Sequence, residues 1–389
     1  MRKYQQLVLL IFSFVSLILV LVYRHEYNRL HYVLEVFNFF GTPCNFSRLN
    51  TSDKYPDHFD WGQSPLWQEY GDYYVFSAFT NESLAQTLVV NKKVTKVPKK
   101  CFLWFENNNA EVGEMNSLKI AEADNLEAYI YSCRLKSFKT LPYAVSFGVR
   151  SKYVSPKKII LTYIEKRSNP ITATLCVPPS SYNKRKLIEF ISFHKLIGFK
   201  HFIFYYDDLP YSLLRLLSSL SEIVDVDLTF FPWNFPLPSS NLSRTIIERD
   251  CSLRTFSKSK SYIVLALSEY LIPLDSYGIY PLLQSNFHSL DQINIPVQTI
   301  CIQQNRTFLP LIVQNINSYN DGSVRIIKFH FNFVNKTENI VENSPQMVIH
   351  DYKHCEGYTG RFLENKLMDT YSTDLIRSTL MQLLKDGQI

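Results

Sequence analysis

Hydrophobic and polar positions divide the chain into stretches with different rhythms. From Leu7 to Tyr23 the apolar run carries no charge and is interrupted only by Ser13 and Ser16. At 1.5 Å per residue this run makes roughly 25 Å of helix, at the short end of what crosses a hydrocarbon core. No small-x-small cleavage site follows, since the next residues are Arg24-His25-Glu26. The pattern therefore predicts an uncleaved signal anchor over 7–23, with a cytoplasmic tail over 1–6. Short spans suit the thinner early-secretory membranes. Residues 24–68 lose all periodicity and carry Pro43, Pro56 and Pro65, which reads as a stem.

A β-rich region is expected over 69–168. Short β-branched and aromatic runs alternate with turn residues there: Tyr73–Phe76, Cys101–Phe105, Ala128–Tyr131 and Ile159–Tyr163. The rhythm changes near residue 171. Thr172–Val177 reads as a strand stopped by Pro178-Pro179, and Lys186–Ile197 as a helix ended by Gly198. His201–Tyr206 reads as a strand, Tyr211–Glu222 as a Leu-rich helix, and Val224–Phe230 as an alternating strand. Ser243–Ser257 reads as a helix and Tyr262–Ala266 as a short buried strand. Strands alternating with helices predict βαβ units and a mainly parallel sheet over 169–389, whose ligands bind at the C-terminal strand ends.

Composition changes this picture in one respect, the compartment. Six N-x-S/T sequons begin at Asn45, Asn50, Asn81, Asn241, Asn305 and Asn335, all after the apolar run. All seven cysteines, Cys44 to Cys355, also follow it and include no CxxC pair. Disulfides in an oxidising lumen are the simpler reading, rather than a zinc site. The odd count leaves at least one thiol free or paired between chains. The formal charge of +6 is spread along the chain. It forms no concentrated basic face, so nucleic acid is not an expected partner. The layout is that of a single-pass type II membrane protein whose larger part is luminal, touching membrane lipid through residues 7–23.

Several of these stretches resemble one family in order and spacing. Cys176-Val177-Pro178-Pro179, Leu187-Ile188-Glu189-Phe190 and Leu196 to Asp207 are similar to the start of the glycosyltransferase family 92 domain. The likeness continues through Trp233 and Pro236, Asp250-Cys251 with Arg254, and the block Tyr262 to Pro273. Ahead of it, Val75-Phe76-Ser77-Ala78-Phe79 is similar to another strand of that family. The resemblance implies a GT-A-like donor-binding fold, a nucleotide-sugar donor and transfer to glycans, with galactose transfer known among members. A UDP-sugar donor such as UDP-galactose, a glycan or glycoprotein acceptor, a bound Mn2+ and a Golgi address follow as expectations.

The departures bear on chemistry. The family's donor strand ends in Asp-Leu-Asp-Glu-Phe, where paired carboxylates bind a divalent cation against the diphosphate. Here the residues are Ala266-Leu267-Ser268-Glu269-Tyr270. Only Glu269 keeps a carboxylate, as a candidate metal ligand or catalytic group, with Ser268 a weak neutral oxygen beside it. Arg244 stands where the family has Gln, and pairing with the diphosphate there would replace the metal's charge. The family's late His-Tyr-Arg appears as Asp351-Tyr352-Lys353 preceded by His350, and His350, Tyr352 and Lys353 are candidates for closing over the diphosphate.

Asp207 and Asp208 end a strand, where they could hold a uracil or ribose or could form a turn before Pro210. Asp250 admits two readings, orienting the donor site or making a structural hydrogen bond. Asp225-Val226-Asp227 spells D-x-D but starts a strand where the family has no such motif, and reads as a decoy. Two functions remain: an inverting transferase with an eroded metal site, or a catalytically inactive luminal glycan-binding or scaffold protein that keeps the fold.

Overall fold

The computed structural model describes residues 12–20, 67–70, 73–81, 84–105, 109–135, 141–148, 158–164, 170–180, 183–207, 209–210, 213–214, 216–217, 221, 224–233, 235, 240–274, 278–286, 291–302, 317–330, 341–343, 346–355 and 366–387. The chain divides into two compact units, 1–66 and 67–389. In the first unit, residues 12–20 are helical. Among the described residues no helix is long and apolar enough to cross a membrane, and the expected span 7–23 lies partly outside them.

The second unit opens with nine strands: β1 (Gln68–Tyr70), β2 (Tyr73–Asn81), β3 (Leu84–Lys92), β4 (Lys100–Trp104), β5 (Ala110–Ala123), β6 (Leu126–Arg134), β7 (Ala144–Gly148), β8 (Ile159–Ile160) and β9 (Thr162–Tyr163). Their order is β1-β2-β3-β6-β5-β4-β7-β8, antiparallel throughout, and β9 returns to pair in parallel with β2. Only Leu161 separates β8 from β9, so the pairing runs round to its start and the sheet curls into a barrel. Closure removes most of the open edge that an isolated sheet would leave unpaired.

Period-two alternation sorts the side chains. Ala85 and Val89 of β3, and Tyr131 and Cys133 of β6, join the barrel's own core with Leu103, Val145 and Phe147. Their neighbours Leu88, Val90, Ala128 and Ile130 face outward into a second core. Inside the barrel a disulfide joins Cys101 to Cys133 across β5. Gly113 of β5 lies beside it, where an added Cβ would stand 2.4 Å from the Cys133 sulfur. Only glycine leaves room for the bridge.

The second sheet is built from β10 (Ile171–Val177), β11 (His201–Tyr206), β12 (Asp227–Pro232), β13 (Ser259–Val264), β14 (Glu269–Pro273), β15 (Gln292–Ile302), β16 (Asn317–Phe329), β17 (Val341–Asn343) and β18 (Met347–His354). Its order is β12-β11-β10-β13-β16-β15-β18-β14, with β17 also on β15. The first four strands are parallel, as the βαβ pattern predicts. Beyond β13 the sheet is mixed, because β16 runs antiparallel to both β13 and β15. The fold is a mixed, sheet-rich α/β arrangement beside an antiparallel barrel, rather than one parallel sheet throughout.

Helix α1 (Lys184–Leu196) connects β10 to β11, capped by Asn183, whose side chain accepts from the Arg185 N–H at 2.9 Å. Helix α2 (Ser240–Thr255) connects β12 to β13. Helices α3 (Tyr280–Asn286), α4 (Lys366–Arg377) and α5 (Thr379–Lys385) complete the unit. The expected strand at 224–230 begins three residues late. Asp225 has φ 51, a left-handed conformation that ends the preceding turn and delays pairing.

Barrel and α/β sheet share one apolar core. Trp67, Phe76, Leu88 and Val90 come from the barrel side, and Ile203, Tyr205, Trp233 and Ile246 from the other. A bulge in β2 between Val75 and Ser77 makes this docking possible. It turns two successive side chains toward the α/β half. Phe76 packs against Trp233 and Tyr205, while Ser77 donates to Asp250 of α2.

Candidate functional site

The parallel strands end at Val177, Tyr206, Pro232 and Val264, and their C-terminal ends face one edge of the sheet. The candidate residues separate by how they lie relative to that edge. After β13 the chain makes a short turn, Leu265–Ser268, and returns as β14, which begins at Glu269. In this turn the Ala266 N–H donates to Glu269 Oε2 at 2.8 Å. A carboxylate three residues on thus reaches back to close the turn, as the glutamate of a capping box does.

Glu269 is only 2% exposed, and its other oxygen is also engaged. Arg325 of β16 donates to Oε1 through Nε at 2.7 Å and through Nη2. Arg244, in the first turns of α2, approaches Oε2 to 3.6 Å through Nη2. The same Nη2 donates to the Val264 carbonyl, the last of β13, at 2.9 Å. Glu269 therefore sits between two guanidinium groups just past the end of β13, the last of the four parallel strands. The Arg244 side chain is 40% exposed and that of Arg325 23%. A buried carboxylate is retained only where paired charge and hydrogen bonds offset its desolvation, and the two arginines supply both.

Next to this bracket, Ser268 Oγ donates to Asp351 Oδ1 at 2.7 Å, and Lys353 pairs with Asp351 Oδ2 at 2.6 Å. The backbone fixes this contact: β14 and β18 pair Glu269 with Asp351, and the Tyr352 N–H donates to the Ser268 carbonyl at 2.9 Å. Asp351 and Lys353 thus stand on the same face as Glu269.

The pleat sends His350 and Tyr352 to the other face. There they pack with Tyr270, which in turn meets Phe190, Phe193 and His194 of α1. Burial pushes His350 down to about 4, so it is neutral, and drives the Tyr352 hydroxyl well up, with the Glu189 carboxylate adding to the shift. Of the expected His350, Tyr352 and Lys353 trio, the structure brings only Lys353 to the bracket.

Asp207 directly follows β11 and is exposed at the same edge. Two strand spacings separate it from the bracket, about 10 Å. Asp208 lies outside the described residues. Asp225 and Asp227 stand at the opposite, N-terminal end of the parallel strands; Asp225 pairs with Lys200 at 2.7 Å.

Asp250 is fully buried between the two halves of the unit. Its Oδ2 accepts from the Tyr205 hydroxyl at 2.6 Å and from Arg254, and its Oδ1 accepts from Ser77. Arg254 lies over the Phe231 ring at 3.9 Å and the Phe79 ring at 5.2 Å. Cys251 is bonded to Cys176, tying α2 to β10. A third disulfide joins Cys301 to Cys355; Cys44 lies outside the described residues.

The divalent cation expected from the D-x-D position does not fit this donor set. Ala266 offers no side-chain oxygen. The Ser268 hydroxyl is turned to Asp351, and Glu269 is held by two cations. Among the described residues no group of three carboxylate, histidine or cysteine side chains could hold a metal ion. Sequence reasoning missed Arg325. Its only sequence signal is an arginine within an apolar-alternating stretch, and its partner lies 56 residues earlier in the chain.

A crossover α/β sheet with polar and charged side chains gathered at the C-terminal strand ends is the arrangement on which α/β proteins bind their ligands. Residues 172–350 match the model of glycosyltransferase family 92. No curated protein matches the chain. Two solved structures illustrate the remote likenesses. One, described as a glucose-1-phosphate thymidylyltransferase from Bacillus anthracis in complex with a sucrose, is 8% identical with a TM-score of 0.24; the match covers 41% of this chain and 72% of that one. The other is the apo-form glycosyltransferase GlyE of Streptococcus pneumoniae TIGR4, 10% identical with a TM-score of 0.29. That match covers 56% of this chain and 63% of the other, so this chain spans less than two thirds of its length. Likenesses this remote carry no argument here.

Proposed function

We propose that the protein is a hexosyltransferase that moves a sugar from a UDP-sugar, with UDP-galactose the first candidate, to a glycan acceptor, on a GT-A-like donor domain. The observation that carries this reading is the bracket of Arg244, Glu269 and Arg325 at the C-terminal end of β13. It lies within the family 92 segment, where crossover sheets bind their ligands. Asp207, at the same edge, is offered for the nucleoside. In the transfer an acceptor hydroxyl attacks the anomeric carbon. The bond from that carbon to the diphosphate oxygen breaks with its electron pair, and the hydroxyl proton passes to a base. Glu269 is assigned as counter-ion to the two arginines, since neither of its oxygens is open to take that proton.

The apolar run at 7–23, the sequons and the three disulfides support a type II membrane protein of the Golgi with residues 67–389 in the lumen. The test is turnover of a panel of UDP-sugars by the full chain in membranes, followed by product release. Hydrolysis or transfer with at least one of them is expected, from a protein that resists alkaline extraction and shifts on glycosidase treatment. Donor binding without turnover, but with retention of glycans, would instead favour the inactive glycan-binding role.

A further inference from the structure

The D-x-D position has lost its metal-binding oxygens, yet it is not simply empty of charge. Two guanidinium groups converge on it from different elements: Arg244 from α2 and Arg325 from β16. With Glu269 between them the bracket carries one net positive charge, and the adjacent Lys353 and Asp351 cancel each other. Each guanidinium has five N–H donors. Arg325 directs Nε and Nη2 to Glu269 and Nη1 to the Val324 carbonyl, while Arg244 directs Nη2 to the Val264 carbonyl. Donors therefore remain on both, and both side chains reach solvent. The planar fork matches phosphate oxygens in pairs, as an ammonium does not.

We propose that Arg325 and Arg244, held apart and aimed by Glu269, form the diphosphate-binding group of this protein and take the place of a divalent cation. The inference rests on the nucleotide-sugar reading above and names the groups that would hold the diphosphate. Glu269 then acts as a positioning residue. It keeps two like charges together in a half-buried place, where they would otherwise repel, at the cost of cancelling one of them. A diphosphate of two or more negative charges competes well for what remains.

This arrangement has a signature that neither a metal site nor a purely structural ion pair shares. Removing the Glu269 charge while keeping its shape frees one unit of positive charge for the phosphates. The measurement is calorimetric titration of the full-length protein in detergent with UDP and with inorganic pyrophosphate, in EDTA and in manganese. Wild-type protein is expected to bind UDP equally in both buffers. Glu269→Gln is expected to bind both probes roughly tenfold more tightly in EDTA, about the effect of one unit charge nearby in a half-exposed site.

Loss of binding in Glu269→Gln, whose amide oxygen can still accept from Arg325, would mean that the removed charge was not competing with the phosphates and would overturn the proposal. An unchanged affinity would reduce the bracket to a structural ion pair and overturn it too. Arg244→Gln, at a 40% exposed helix position, reads the same question if Glu269→Gln does not fold. At least a tenfold weakening in EDTA is expected, and none would refute the idea. Manganese-dependent binding by the wild type would overturn the bracket alone and leave the donor reading standing. Absence of nucleotide binding in either buffer would overturn both.

Discussion

Glu269 and Asp250 are both buried carboxylates next to arginine, and their surroundings give them different work. Glu269 lies at a strand end with half-open partners; Asp250 lies between two sheets with every partner inside. Ser77, Tyr205 and Arg254 all point at Asp250, and burial together with the neighbouring carboxylate pushes the Tyr205 phenol well above its ordinary range. The network is complete, which is the condition under which a buried charge is tolerated. Replacing Asp250 with alanine strands the buried Arg254 cation, and breaking such a pair costs about 3–5 kcal/mol. The expected result is a large fall in the urea midpoint of Asp250→Ala, with UDP affinity unchanged per folded molecule. A selective loss of UDP affinity at normal stability would return Asp250 to the donor site.

Among the elements, α2 carries the most constraints. Its first turns bring Arg244 to the end of β13, and its later turns hold Cys251 against Cys176 of β10 and present Asp250 and Arg254 to the barrel. One amphipathic helix thus connects site, sheet and barrel. The Cys176–Cys251 bridge closes a segment of 75 residues. Loop-closure entropy for that length amounts to about 4.5 kcal/mol at 25 °C. Equilibrium denaturation of Cys176→Ala/Cys251→Ala is expected to show a loss approaching this size. A loss under 1 kcal/mol would mean that packing already restrains the unfolded segment.

At the scale of the whole molecule, His194, His330 and His350 contribute to the response to acid. Burial pushes His194 down to about 3, with the Phe190 carbonyl opposing, and pushes His330 and His350 down to about 4. In the unfolded chain each titrates near 6.5. Between these values the unfolded state binds more protons, so stability falls as the pH drops below about 6.5; the contributions of His330 and His350 level off near 4 and that of His194 near 3. At pH 5 each histidine removes about 2 kcal/mol relative to pH 8. Thermal melts of the protein are expected to drop steadily from pH 7 to pH 5. Replacing His330 with a neutral isostere such as Gln should flatten that slope if the variant folds. A melting temperature flat over this range would contradict the neutral state of all three.

Local sequence determined much of this protein. The alternation at 171–264 is enough to read β10, α1, β11, α2 and β13 to within a few residues, because each element buries one face at its own period. That Glu269 has no second carboxylate within the turn before it is likewise visible in Ala266 and Ser268 alone. What tertiary structure decided is which charges meet. Arg325 reaches Glu269 across 56 residues because β16 runs antiparallel beside β13, and no local pattern encodes that neighbour. The pleat of β18 then divides His350 and Tyr352 from Asp351 and Lys353, though the four are consecutive in sequence. A side chain's type is a property of the chain; its partner depends on strand order and register, which only the closed fold fixes.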